Sequence, residues 1–182
     1  LLEGTAPGDT AWPIAGGAML YDASRAGNAV EGWLDPAWWA ERGEVRPAGA
    51  GRGAVSFIEA DGRSLVLRHY RRGGLVARVI DDHYLWLGVE RSRAFREWRL
   101  LRSLQELSLP VVEPVGLVTD RPAVPGDERR GLLVTRFLQH SMPFRNVISR
   151  GVSASQAFQL LDALADLLVN LHLAGFFWGD CS

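Results

Sequence analysis

Two pairs of short apolar runs, one on each side of a single amphipathic segment, narrow the fold of this chain more than any other feature. The first pair is Ala54–Ile58 and Leu65–Tyr70, rich in β-branched and aromatic residues and separated by six residues that include the turn signal Asp61-Gly62. This pattern predicts a β-hairpin. From about Glu90 to Leu107, Phe95, Trp98, Leu101, Leu104 and Leu107 recur at helical spacing and the run stops before Pro110, which predicts an amphipathic helix. The second pair of runs, Val115–Thr119 and Leu132–Leu138, is divided by a loop rich in Pro, Gly and Asp and predicts another hairpin. From Ser153 the spacing of Phe158, Leu161, Ala165, Leu168 and Leu171 marks a second long helix. Ser153 and Gln156 are placed to form its capping box and Gly175 to stop it. The order strand, strand, helix, strand, strand, helices, without internal repeats, is that of an α+β protein with a small antiparallel sheet.

The segment before the first hairpin is rich in Gly and Pro, shows little periodicity and holds four of the seven tryptophans. It reads as a lead-in over residues 1–50, followed by a sheet-and-helix part over 51–138 and a helical part over 139–182. Within the lead-in, Asp35-Pro36-Ala37-Trp38-Trp39-Ala40 predicts one short helix with Asp35 as N-cap and Pro36 in the first turn. Its tryptophans are expected to anchor packing rather than to stack on a ligand. The chain begins at Leu1 without a Met and stops at Ser182 inside a motif, so both ends are expected to be cut.

Composition removes several kinds of chemistry. The twenty basic residues are all Arg, so a Schiff base or a P-loop lysine is excluded and any cation here is a guanidinium. One cysteine, Cys181, allows no internal disulfide and no zinc site of the CxxC type, which fits a reducing compartment. No run approaches the roughly 18 apolar residues of a membrane span, since Asp162, Asp166, Asn170 and His172 interrupt the most apolar stretch. Net charge is −1, yet between Arg63 and Arg102 ten Arg face Asp81, Asp82, Glu90 and Glu97. That excess favours an anionic partner as much as it describes a solvated face. Arg71-Arg72-Gly73-Gly74 is its sharpest part. Nucleic acid is a distant reading, because overall charge and motifs argue against it.

Three places carry candidate chemistry. Gly51-Arg52-Gly53, ahead of the first hairpin, can bring backbone amides close to a phosphate, although a G-x-G triplet by itself reads as a plain loop. Arg68 shares a strand face with Val66 and Tyr70 and must be paired, and Glu97 on the following helix is a partner. A strand cation paired with a helix glutamate is how protein kinases hold nucleotide phosphates, though with lysine as the cation. In isolation the pair reads as an ordinary helix-to-sheet salt bridge. After the last helix, Gly175-Phe176-Phe177-Trp178-Gly179-Asp180 places a carboxylate where it can accept a proton from a substrate hydroxyl or cap the next element.

Gly51–Gly53, Leu65–Leu75, Tyr84-Leu85-Trp86 and Arg93–Leu101, together with Gly16–Asp22 and Asp35–Trp39, resemble the 3-deoxy-D-manno-octulosonic acid (Kdo) kinases of lipopolysaccharide core synthesis over about residues 16 to 115. The resemblance implies a protein-kinase-like fold with ATP between a sheet lobe and a helical lobe. It implies Arg68 on the phosphates with Glu97 as its partner, the Gly51, Arg52 and Gly53 turn over the phosphates, and Asp180 as the base that orients the 4-hydroxyl of a Kdo sugar. A lipid A precursor bearing Kdo as acceptor gives Arg71 and Arg72 an anionic partner, and implies peripheral docking on the cytoplasmic face of the inner membrane.

From Val134 to Ser182, and most clearly at Ser141–Arg145 and Gly175–Ser182, the chain is similar to an uncharacterised bacterial family with a kinase-like catalytic loop. Where Kdo kinases read His-Ala-Asp-Leu-Asn, this chain has Trp178-Gly179-Asp180-Cys181-Ser182. The asparagine and second aspartate that hold Mg²⁺ in kinases are expected beyond Ser182, so the 182 residues alone are expected to transfer phosphate poorly. Other readings are a kinase for another small molecule and a kinase-like module that binds without transferring phosphate.

Overall fold

The computed structural model describes residues 8–14, 17–27, 32–33, 38–39, 41, 43–48, 55–60, 62–70, 92–120 and 131–178. Its centre is a seven-stranded sheet built from β1 (Asp9–Ile14), β2 (Gly17–Asp22), β3 (Gly43–Ala48), β4 (Val55–Ala60), β5 (Arg63–Tyr70), β6 (Pro114–Asp120) and β7 (Gly131–Arg136). The spatial order is β1-β2-β6-β7-β5-β4-β3, and every neighbouring pair is antiparallel. A short α1 (Ala23–Ala26) follows β2, and α2 (Arg93–Glu106) lies between β5 and β6 in the chain. Helices α3 (Phe144–Ser149) and α4 (Ala154–Leu173) come last. The architecture is a mixed α+β, kinase-like arrangement.

Both expected hairpins are present. In β4–β5 Ile58 pairs with Leu65 and Val55 with Arg68, and the turn between them places Gly62 at φ +70°, in the left-handed region that glycine enters without a Cβ penalty. In β6–β7 Leu117 pairs with Leu133. The larger difference from the sequence reading lies in the lead-in, which contributes three strands. The hairpin β1–β2 extends the sheet past β6, and β3 extends it past β4. Proline sits in both edge strands, Pro13 in β1 and Pro47 in β3, where a missing N–H costs least and discourages pairing with another chain.

The sheet divides its side chains cleanly. Leu65 and Leu67 are buried on one face, in a core with Met19, Ile58, Val115, Val118, Leu132, Val134, Trp33 and Trp39. Trp33 packs edge-on to Tyr21 and lies so close to Gly116 that a Cβ there would sit 2.1 Å from its ring. Two of the lead-in tryptophans are thus packing anchors, and Trp38 packs partly buried against the same core. Trp38 and Trp39 are helical, while Asp35 and Pro36 lie outside the described residues. On the opposite face the register sets Leu20, Leu117, Leu133 and Arg68 in one row across four strands. Ala94, Phe95, Trp98, Leu101 and Leu104 are the buried residues of α2. The helix lies on this face with Ala94 beside Gly131 and with Glu97 reaching Arg68 and Tyr70.

Local signals account for the helix ends. Ser92 Oγ accepts from the Phe95 amide and opens α2. At its exit the Leu109 amide donates to Leu104 O and the Ser108 amide to Gln105 O, with Ser108 at φ +57°. This is a Schellman arrangement with serine in the position that glycine favours. In α4 the capping box forms as expected: the Gln156 amide donates to Ser153 Oγ at 3.3 Å and the Ser153 amide to Gln156 Oε1 at 2.9 Å. Gly175, at φ +84°, closes the helix with the Phe176 amide on Leu171 O and its own amide on His172 O.

The chain falls into two compact units, Leu1–Ser103 with Val112–Phe137, and Leu104–Val111 with Leu138–Ser182. Within the second, α4 differs from its expected facing. Leu171 is buried and Leu168 half-buried, but Phe158 and Leu161 are exposed at 68% and 60%, while Ala157, Leu160, Leu164 and Leu167 are the more covered positions. The helix is apolar on more than one face, so spacing alone does not single out the covered stripe. Among the described residues no helix is long and apolar enough to cross a membrane.

Candidate active site

Strand β5 and helix α2 supply the one constellation that the sequence singled out and the described residues contain. Arg68 and Tyr70 are two residues apart on β5 and therefore share a face, and α2 delivers Glu97 to that face. Arg68 Nη1 donates to Glu97 Oε1 at 2.8 Å. The Tyr70 hydroxyl donates to the other carboxylate oxygen, Oε2. Glu97 is thus shared between a cation and a phenol, one oxygen to each. Arg93, one turn before Glu97 on α2, holds its guanidinium carbon 5.2 Å from the centre of the Tyr70 ring, within cation–π range.

The environment favours charge on Arg68 and suppresses it on Tyr70. Burial works against the charge of Arg68, but the Tyr70 hydroxyl and the Glu97 carboxylate beside it outweigh burial and hold the guanidinium above its ordinary value. Burial, and then the hydrogen bond and negative charge of Glu97, push the Tyr70 phenol well above its ordinary 10.0. Tyr70 is therefore a fixed donor at neutral pH. The Arg68 side chain is half exposed, and only one of its five N–H donors is used in the bond to Glu97. A guanidinium held from behind by a carboxylate and open to solvent is suited to an anion with several oxygens, a phosphate above all.

A second set of contacts fixes the helix that carries Glu97. Arg102 Nη2 is ion-paired with Asp9 Oδ1 at 3.0 Å and its Nη1 donates to Asp22 Oδ2 at 3.3 Å, and Trp98 Nε1 donates to Asp9 Oδ2 at 3.4 Å. Asp22 also holds Arg25 at 3.1 Å, and Arg25 reaches Glu113 at 3.0 Å, which is in turn paired with Arg136. These residues escaped the sequence reading. Their only signal was a pair of acids in a stretch without periodicity, and their partners lie about eighty to ninety positions away.

The other sequence candidates, Gly51, Arg52, Gly53, Arg71, Arg72 and Asp180, lie outside the described residues. The approach to Asp180 is described as far as Trp178, with Phe177 stacked on His172 at 5.9 Å between ring centres. Among the described residues no three His, Cys, Asp or Glu side chains cluster to hold a metal ion, so no described group is assigned to Mg²⁺.

Comparison with known proteins identifies the family. Residues 36–182 match the model of the Lipopolysaccharide kinase (Kdo/WaaP) family. The chain is 46% identical over 100 residues to a 3-deoxy-D-manno-octulosonic acid kinase of Stenotrophomonas maltophilia (strain K279a), covering 54% of this chain and 39% of that protein. A protein of the same name from Xylella fastidiosa (strain M12) is 40% identical over 120 residues, covering 66% and 47%. Another, from Xanthomonas campestris pv. campestris (strain B100), is 44% identical over 99 residues, covering 54% and 39%. The matches span from about two fifths to about half the length of these curated relatives. No solved structure matches the chain. The family match covers β3 to β7, Arg68, Glu97 and the helical segment, and the chain belongs to the Lipopolysaccharide kinase (Kdo/WaaP) family.

Proposed function

We propose that the whole protein is an ATP-dependent phosphotransferase that phosphorylates the 4-hydroxyl of Kdo on a lipid A precursor. The observation that carries this reading is the Arg68–Glu97 pair, in which a strand cation is held by a helix carboxylate and remains half exposed. The names of the relatives supply the acceptor class. Phosphoryl transfer passes through a loose transition state that asks little covalent chemistry of the protein, so catalysis rests on positioning and on neutralising charge.

In this reading Arg68 binds phosphate oxygens of ATP and Glu97 orients it. The backbone of Gly51, Arg52 and Gly53 covers the phosphates, and Asp180 accepts the proton of the attacking hydroxyl. A divalent cation, Mg²⁺ in the usual case, would neutralise phosphate charge when bound. Arg71 and Arg72 extend the positive surface toward an acceptor that is itself anionic, a carboxylated sugar on a phosphorylated lipid. The site of action is then the cytoplasmic face of the inner membrane, reached by peripheral contact with anionic lipid.

The test is Mg²⁺-dependent transfer of labelled γ-phosphate from ATP to a Kdo-bearing lipid A precursor by the full-length protein, with Asp180→Asn and Arg68→Ala beside it. Transfer that both substitutions abolish supports the reading. A second reading, a kinase-like module that binds nucleotide without transferring phosphate, is favoured by Trp178, which stands where the resembled kinases have a histidine. Intact nucleotide binding without transfer to any Kdo acceptor would select it.

A further inference from the structure

The Arg68–Glu97 contact is a single hydrogen bond, although the two groups are shaped for two. An arginine and a carboxylate left to themselves settle into a parallel fork, with two N–H groups on two oxygens. Here Arg68 gives Nη1 to Oε1 at 2.8 Å, while Oε2 accepts from the Tyr70 hydroxyl instead. The Tyr70 hydroxyl also lies near enough to the Arg68 guanidinium to favour its charged form. Tyr70 is held in turn. Its strand pairs it with Gly131, and Arg93 lies over the ring at 5.2 Å.

We propose that Tyr70 is a positioning residue that restricts Glu97 to one hydrogen bond with Arg68, and so keeps the remaining guanidinium donors turned toward the phosphate oxygens of a bound nucleotide. Tyr70 makes no contact with the nucleotide in this scheme. It acts through the orientation in which it holds Glu97, since each carboxylate oxygen has lone pairs to spare for a second donor. Without the phenol, Oε2 is released, the fork with Arg68 closes, and the edge of the guanidinium that phosphate needs is occupied by the protein's own carboxylate. The role rests on the reading of Arg68 as the phosphate ligand, and the experiment separates the two.

Binding of ATP and of adenosine to the full-length protein is measured by titration calorimetry for the wild type, Tyr70→Phe, Arg68→Lys and the double variant. Phenylalanine keeps the ring beneath Arg93 and removes only the hydroxyl, and circular dichroism checks that each variant is folded. Tyr70→Phe is expected to weaken ATP binding about tenfold and leave adenosine binding unchanged, the size expected for losing one hydrogen bond from a charged site. A lysine ammonium is a point charge that cannot form the fork, so in the Arg68→Lys background the same exchange is expected to change ATP affinity by less than about twofold. Wild-type ATP affinity in Tyr70→Phe, or an equal loss in both backgrounds, overturns the role of Tyr70 and leaves Arg68 as the phosphate ligand. A wild-type protein that binds ATP no more tightly than adenosine overturns the reading of Arg68 itself, and the role of Tyr70 with it.

Discussion

Arg102, on the helix that carries Glu97, reaches Asp9 on the edge strand β1 with Nη2 and Oδ1 3.0 Å apart. The aspartate side chain is fully buried and the arginine nearly so, at 12% exposure. With Asp22 on the other guanidinium nitrogen, the arginine ties α2 to the β1–β2 hairpin. Helix α2 is therefore anchored to β5 through Glu97 and to β1 and β2 through Arg102, and the hairpin takes part in positioning the site although it contributes no residue to it.

Removing the cation of a buried ion network leaves its carboxylates charged with less compensation, which costs more than the pair contributes net. Arg102→Ala is expected to lower unfolding stability by about 3–5 kcal/mol, measured by urea denaturation. A loss below about 1 kcal/mol, the range of surface pairs, would show that Asp9 and Asp22 are served by solvent instead.

The same network makes stability depend on pH. Burial pushes the Asp22 carboxyl up, but the Ser24 hydroxyl and amide, Arg25 and Arg102 outweigh burial and hold it below the ordinary 3.8. A carboxylate depressed in the folded state contributes stability that is fully present above its unfolded value. That stability is lost as pH falls through the folded one. Unfolding midpoints are expected to fall as pH drops below the ordinary carboxylate value, and Asp22→Asn is expected to flatten that part of the profile while lowering stability at neutral pH.

Gly116 is where β6 passes under Trp33, and a Cβ there would lie 2.1 Å from the indole and 3.1 Å from Tyr21 Cβ. Trp33 is 2% exposed and has no open side to retreat to. Gly116→Ala is expected to cost about 1–3 kcal/mol by forcing the indole out of its packing. Thermal unfolding followed by tryptophan fluorescence reads both the loss and the displaced ring. An unchanged melting temperature would mean that the lead-in does not pack on β6 as described.

The Arg68–Glu97 pair is expected to behave oppositely to Arg102. With Arg68 half exposed, the pair is worth no more than about 1 kcal/mol of stability, so Arg68→Ala should leave the melting temperature nearly unchanged. Nucleotide affinity should nevertheless fall at least about tenfold, because the cation is placed for a ligand rather than for the fold. A comparable loss of stability with unchanged nucleotide affinity would make the pair an ordinary brace between helix and sheet.

How far these features can be read in the chain itself follows from how local their causes are. The β4–β5 hairpin, the ends of α2, the Ser153–Gln156 capping box and the Gly175 stop each depend on residues a few positions apart. Their turn and cap chemistry therefore stands in the sequence. Arg68 and Glu97 were legible as candidates for a similar reason: an arginine in an apolar strand needs a partner, and the next helix offers Glu97 on α2. The positions of Gly51, Arg52, Gly53, Arg71, Arg72 and Asp180 lie outside the described residues, and their roles stay with the family resemblance.

The strands of the lead-in depend on distant partners. β2 finds its neighbour in β6, about a hundred residues later, and the Gly and Pro that obscure its pattern are tolerated because pairing and tryptophan packing outweigh weak local propensity. The covered stripe of α4 was hidden for a different reason, since a helix apolar on several faces leaves the choice to its surroundings. The division of Glu97 between Arg68 and Tyr70 belongs to the same class. Residue spacing places the three side chains on one face, but the number of hydrogen bonds a carboxylate makes is set by distances of a few tenths of an ångström. Those distances arise only when β5, β7 and α2 have packed together.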